Sequence, residues 1–194
     1  MQYPLSLSFK VWAFSPQITV RDADGNLVGY VKQKLFKLKE DVVVFADEAQ
    51  TKPLYNIKAD RILDVSACYH FTDLAGGKLG AIKRRGWRSM WRAHYEILDG
   101  ENPVMNVREE SVLTRFLDGA FQEIPILGIF SGYVFNPSYL VSRLDGAPVM
   151  RLKKQPAFLE GRFAISKLGE LTLQEEQRIL LGLIMMTLLE RMRG

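Results

Sequence analysis

From Ile179 to Leu189 the chain reads Ile-Leu-Leu-Gly-Leu-Ile-Met-Met-Thr-Leu-Leu, and only Thr187 in that run is polar. The flanking residues mark a helix. Thr172 can serve as N-cap with Glu175 three residues on, the capping-box spacing. Glu175 and Glu176 fall in the first turn and Arg191 and Arg193 in the last, each where the helix dipole favours its charge, and Gly194 follows. These signals predict one helix of roughly five turns within Leu171 to Gly194. A surface helix carries a polar stripe at 3.6-residue spacing, and this one has none, so it must be enclosed on every side. A bilayer span needs about 20 apolar residues, and a run of this length is the mark of a buried core helix. Thr187 can return its hydroxyl to the Leu183 carbonyl. Gly182 costs about 1 kcal/mol of helix propensity relative to alanine, and is expected to mark the close approach of a neighbouring backbone.

The remainder must supply the enclosure. Leu5, Leu7, Phe9 and Val11 alternate with Ser6, Ser8 and Lys10, the period of a strand. A unit then recurs of strand, turn with an acid, and strand ending in Lys or Arg. Its turns are Asp22 to Asn26, Asp47 to Lys52, Asp73 to Lys78, Asp99 to Asn102 and Asp145-Gly146. The acids Asp24, Asp47, Asp73 and Asp99 are 23, 26 and 26 residues apart, and Asp145 lies 46 further. Asp-Gly between alternating apolar residues is a strong hairpin signal, and its repetition predicts a meander rather than a doubly wound sheet. Ser111 to Phe121 breaks the pattern with the spacing of a short helix, and Ile124 to Phe135 resumes strand-like character.

Ten or more strands in an open sheet would leave exposed edges, which closure into a barrel removes. A barrel of that size has a wide interior, and an all-apolar helix fills it. The expected fold is therefore mainly β: a closed antiparallel barrel in a hairpin meander around a buried hydrophobic C-terminal helix. No linker or composition shift divides the chain, so one domain over residues 1–194 is expected.

Composition narrows the function. The net charge of +4 and pI of about 9.2 permit an acidic partner without requiring one. The single cysteine, Cys68, rules out an intrachain disulfide and a multi-cysteine metal site, which fits a reducing compartment. Met1 to Phe9 lacks the basic start and long apolar run of a secretory signal, so the cytoplasm is the expected location.

Two segments carry a resemblance. Asp22 to Glu48, DADGNLVGYVKQKLFKLKEDVVVFADE, is similar to the repeated strand unit of LURP-one-related and phospholipid-scramblase-like sequences. Gly161 to Gly194, GRFAISKLGELTLQEEQRILLGLIMMTLLERMRG, resembles their closing strand and central helix. The chain is thereby identified as a member of the tubby C-terminal-like superfamily. The resemblance implies a barrel of about twelve antiparallel strands around the helix, and phosphoinositide binding of the kind tubby-like domains perform. Scramblases also carry a membrane segment and a palmitoylated cysteine cluster, and this chain shows neither, which puts lipid scrambling in doubt.

The leading candidate site is a basic-aromatic stretch of Lys83, Arg84, Arg85, Trp87, Arg88, Trp91 and Arg92, with no acid between Asp73 and Glu96. Arginine pairs with phosphate bidentately and tryptophan favours a membrane interface. Lys83, Arg84, Arg85, Trp87, Arg88 and Arg92 are the expected contacts to anionic lipid. The competing explanation is a hairpin with a solvated basic face, in which Trp91 is core. Lys32, Lys34, Lys37 and Lys39 form a second basic group that fits edge protection of a sheet. Asp22 to Asn26 departs from the EF-hand pattern, with glycine fourth and Gln33 twelfth, and fits a hairpin turn. Cys68 and His70 share a strand face, but two ligands do not make a structural zinc site. No nucleophile elbow, phosphate-cradling loop or paired carboxylates stand out, so neither a catalytic residue nor a cofactor or metal is expected. Two functions stay open: a non-catalytic binding domain for anionic lipid or phosphoinositide, peripheral at a membrane, and a structural or protein-interaction module. Nucleic acid is the weaker choice of anionic partner.

Overall fold

A computed structural model of the chain describes residues 1–10, 16–32, 41–61, 67–85, 94–110, 137–157 and 160–191. The short helix expected at 111–121 and the strand-like stretch 124–135 lie outside these. Among the described residues twelve strands precede the helix. They are β1 (Leu5–Lys10), β2 (Gln17–Arg21), β3 (Leu27–Lys32), β4 (Asp41–Phe45), β5 (Pro53–Ala59), β6 (Cys68–Asp73), β7 (Lys78–Arg84), β8 (His94–Asp99), β9 (Asn102–Glu109), β10 (Ser138–Arg143), β11 (Pro148–Gln155) and β12 (Glu160–Lys167). Each pairs antiparallel with its sequence neighbours, and β1 pairs with β12, so the meander closes into a barrel without edges. At the closing seam Leu5 faces Ile165, Leu7 faces Phe163 and Phe9 faces Gly161. A side chain on Gly161 would fall inside the Phe9 ring, which crosses there to lie 6.1 Å from the Phe163 ring.

Strand period two puts alternate residues inside, where Leu7, Val20, Ile57, Phe71, Ile97 and Val107 are fully buried. They pack on helix α1 (Leu173–Arg191), whose Ile179, Leu183 and Met185 are no more exposed. The capping box forms: Glu175 N donates to Thr172 Oγ1 at 3.2 Å, and Thr172 N to Glu175 Oε2 at 2.8 Å. Thr187 Oγ1 donates to the Leu183 carbonyl at 2.8 Å, leaving no polar atom of that side chain unsatisfied.

Gly182 does not mark a backbone approach. A β-carbon there would meet only the side-chain tips of Ile82 and Ile97 at 3.5 Å, ordinary contact distance. Ile82 and Ile97 are large enough to reach the helix, which the sequence pattern alone did not reveal. Since the extra methyl fits, Gly182→Ala is expected to stabilise the protein by roughly 0.5–1 kcal/mol through helix propensity, read as a higher urea midpoint.

The turns show why acids recur. Asp22 Oδ1 accepts from the backbone N–H groups of Asp24 and Asn26 at 3.2 and 2.9 Å. Asp47 takes those of Thr51 and Lys52, and Asp73 those of Ala75 and Gly77, while Asp145 takes that of Ala147. Each carboxylate thus satisfies amides that the tight turn leaves without strand partners. In the first hairpin the working acid is Asp22 rather than Asp24, which makes the spacing to Asp47 25 residues, nearer the other intervals.

Asp99 has a different task. Arg178, only 8% exposed, donates through Nε to the Leu79 carbonyl at 2.7 Å and pairs with Asp99 through a terminal nitrogen at 2.9 Å. One residue therefore ties the helix to β7 and to the β8–β9 turn. A second tie is Arg143 to Glu175 at 2.6 Å. The Arg143 hydrogen bond, helped by the Thr172 N–H, holds the Glu175 carboxyl down from 4.5 to about 2. Because the folded value is the lower one, this contribution is complete above pH 4.5 and is lost as pH falls toward 2. Glu175→Gln should lower the urea midpoint at pH 7 and flatten its fall across that acid window.

Candidate functional site

Strand β7 separates the basic stretch by parity. Lys83 and Arg85 point outward and are exposed, whereas Arg84 points into the barrel and is 8% exposed. The expected lipid-contact set is corrected at this residue. Neighbouring residues of a strand face opposite sides, so Arg84 cannot share a surface with Lys83 and Arg85. Its guanidinium carbon lies 5.9 Å from the centre of the Tyr95 ring, and its Nε has no hydrogen-bond partner among the described residues. Trp87, Arg88, Trp91 and Arg92 lie outside the described residues, as do Lys34, Lys37 and Lys39. Lys32 is exposed at the end of β3.

Register supplies a cation that linear sequence did not. Arg85 N donates to the His94 carbonyl at 3.0 Å, and His94 faces Arg108 on β9. Arg85, His94 and Arg108 therefore form a row across three adjacent strands, with Lys83 two residues along β7. Arg108 is exposed, and its Nε lies 3.3 Å from His94 Nε2, to which it donates when that nitrogen is unprotonated. Asn106 Oδ1 lies 3.4 Å from the same nitrogen and can accept from it once the ring is protonated. Burial holds the His94 pKa below its ordinary value, with the Arg108 and Arg85 charges acting the same way and Asn106 against them. The row's one acid is Glu96, 3.4 Å from Arg85 Nε, and the Arg85 side chain stays 60% exposed in that pair. Further round the barrel Arg151 is neutralised by Glu110 at 2.9 Å. The signal for Arg108 was available in sequence only as an outward position of the strand Val104 to Arg108. Pairing that strand with His94 required the register.

The other candidates resolve into structure. The Asp22 carboxylate is occupied by turn amides and the Asn26 side chain. Cys68 is buried on the outer face beside Ala81 and Leu98, and burial raises its thiol pKa, the opposite of an activated nucleophile. His70 is exposed two residues away. Among the described residues no group of three or more His, Cys, Asp or Glu is placed to hold a metal ion. No helix among them is long and apolar enough to cross a membrane.

Inside the barrel, at the C-terminal end of α1, the Tyr95 hydroxyl donates to Glu190, and burial with that carboxylate raises the phenol well above its ordinary pKa. Beside them Phe9, Leu152, Phe163 and Met186 line a slot of about 100 Å³. A cavity that takes benzene is roughly 150 Å³, so the slot is too small for a long acyl chain. The helix occupies the space a lipid carrier would use.

A twelve-stranded antiparallel barrel closed around one apolar helix is the tubby-like architecture. Within that class the chain belongs to the LURP-one-related family, whose model matches residues 28–172. A solved X-ray structure of an Arabidopsis thaliana protein is similar at 16% identity, covering 94% of this chain and 88% of that one, with a TM-score of 0.48. No curated protein matches the chain.

Proposed function

We propose that the protein is a non-catalytic binding domain that docks peripherally on anionic membrane lipid, with the outer face of β7–β9 as its contact surface. The observation that carries this is the cross-strand group Lys83, Arg85 and Arg108, three exposed cations on the two sides of β8. Cations held near an anionic membrane contribute about 1 kcal/mol each, and arginine offers phosphate a planar pair of donors. Membership of the tubby-like class supports phosphoinositide or other acidic phospholipid headgroups as the ligand.

The test is co-sedimentation with neutral, phosphatidylserine and phosphoinositide vesicles over a salt series. Binding should require anionic lipid and weaken between low and physiological salt, because the contacts are exposed and screened. Absence of binding to anionic vesicles at low salt would sink the proposal.

A further inference from the structure

The opposite end of the barrel, around the start of α1, has a different chemistry. A cleft of about 550 Å³ opens there between the β8–β9 turn, the β10–β11 turn and the first helical turn, lined by Asp99, Val104, Leu144, Asp145, Glu175 and Arg178. Its volume is in the range of ligand sites. The exposed large hydrophobic residues of the described structure gather at this end: Leu144 at 62% and Leu173 at 75% beside the cleft, with Met1, Leu74 and Leu168 around the same rim. Scattered single leucines need no explanation, but Leu144 and Leu173 stand together beside one cleft.

Charge says what would cover them. The segments bordering the cleft, residues 99–102, 144–147 and 168–172, hold Asp99, Glu101, Asp145 and Glu170 and contain no lysine or arginine. The cleft's own cations are engaged, Arg143 by Glu175 at 2.6 Å and Arg178 by Asp99 at 2.9 Å. Asp99 keeps 60% of its side chain exposed despite that pair, and Asp145 is exposed with one oxygen on the Ala147 N–H. A partner must therefore bring apolar side chains for the leucines and positive charge for the carboxylates. The carboxylates bordering the cleft disfavour an acidic peptide or an anionic headgroup inside it.

We propose that this cleft docks a basic amphipathic segment of a protein partner, its apolar face on Leu144 and Leu173 and its lysines or arginines against Asp99 and Asp145. The surface is separate from the β7–β9 face, so a bound membrane at one end leaves the other free to recruit the partner.

The experiment uses the whole chain and two fluorescent peptides of equal apolar content, one pairing leucine with lysine in helical register and one pairing leucine with glutamate. Anisotropy titrations should show binding of the lysine peptide only, weakened by salt. Leu144→Ser with Leu173→Gln should reduce that affinity about tenfold, the size expected when anchor residues of an interface are truncated. Asp145→Asn, which keeps the turn-capping oxygen, should reduce it by a smaller factor. Thermal melts of each variant check the fold. Should Leu173→Gln disturb the helix start, Leu144→Ser alone, at an exposed turn tip, carries the test. Hydrogen exchange should show protection at 99–103, 144–147 and 172–178. Equal binding of both peptides, unchanged affinity in the leucine variant, or protection centred on Lys83, Arg85 and Arg108 would each overturn the proposal. So would concentration-dependent self-association abolished by Leu144→Ser, which would assign the face to a second copy of the chain.

Discussion

Changing Lys83, Arg85 and Arg108 together to glutamine is expected to lower affinity for phosphatidylserine or phosphoinositide vesicles about 100-fold at low salt, from about 1 kcal/mol per cation. The three residues point outward and are exposed, so they contribute little to stability, and the variant's thermal midpoint should stay close to that of the parent. Two comparisons separate a local face from simple net charge. Neutralising Lys52 and Lys78, exposed at the far end of the barrel, should leave vesicle binding almost intact. Arg84→Met should also leave it intact, because the Arg84 side chain is inside, against Tyr95. Equal loss from the Lys52 and Lys78 variant would show that the charge acts without a defined surface. A lower pH should strengthen binding: protonation of His94, held back by burial in the free protein, adds a cation to the same row.

Gly80→Ala is expected to be strongly destabilising, costing about 3 kcal/mol, in the range of buried-network breakage. The residue has φ +133°, where side chains are strained. A β-carbon there would lie 2.6 Å from both Arg178 Nε and the Leu98 carbonyl oxygen. Either β7 moves or Arg178 leaves, and its departure breaks the bond to Leu79 and strips the Asp99 pair while burying a cation without a partner. Arg178→Met should cost less than Gly80→Ala. It removes the charge and the need to satisfy it, keeps the packing volume, and leaves Asp99 exposed to water. Urea midpoints of the two variants rank the effects, and a Gly80→Ala midpoint equal to the parent's would refute the role given to this contact.

Much of the architecture is a direct consequence of the chain's residue order. An apolar run without a polar stripe can exist in water only if something surrounds it, and hairpins with an acid in each turn supply a surround whose edges must close. The helix limits, its capping box and the Thr187 bond to Leu183 depend on residues within four positions of each other, so local physics determines them. The strand faces follow equally from alternation, and parity alone already sets Arg84 opposite Lys83 and Arg85.

Tertiary structure decided whatever depends on which strands meet and at what stagger. Arg108 joins the basic row because β9 pairs with β8 in the register that sets it opposite His94. Asp99 serves Arg178 because the helix start lies under that turn, 79 residues later in the chain. Gly182 faces isoleucine tips instead of backbone because Ile82 and Ile97 bridge the gap between wall and helix. The rim of the cleft acquired its chemistry in the same way. Turn acids and leucines that are spread over the whole sequence converge when a meander stacks alternate hairpins at one rim. Distances across a closed sheet are set by pairing and shear rather than by separation along the chain, which is why the composition of each turn was legible and the surface they build together was not.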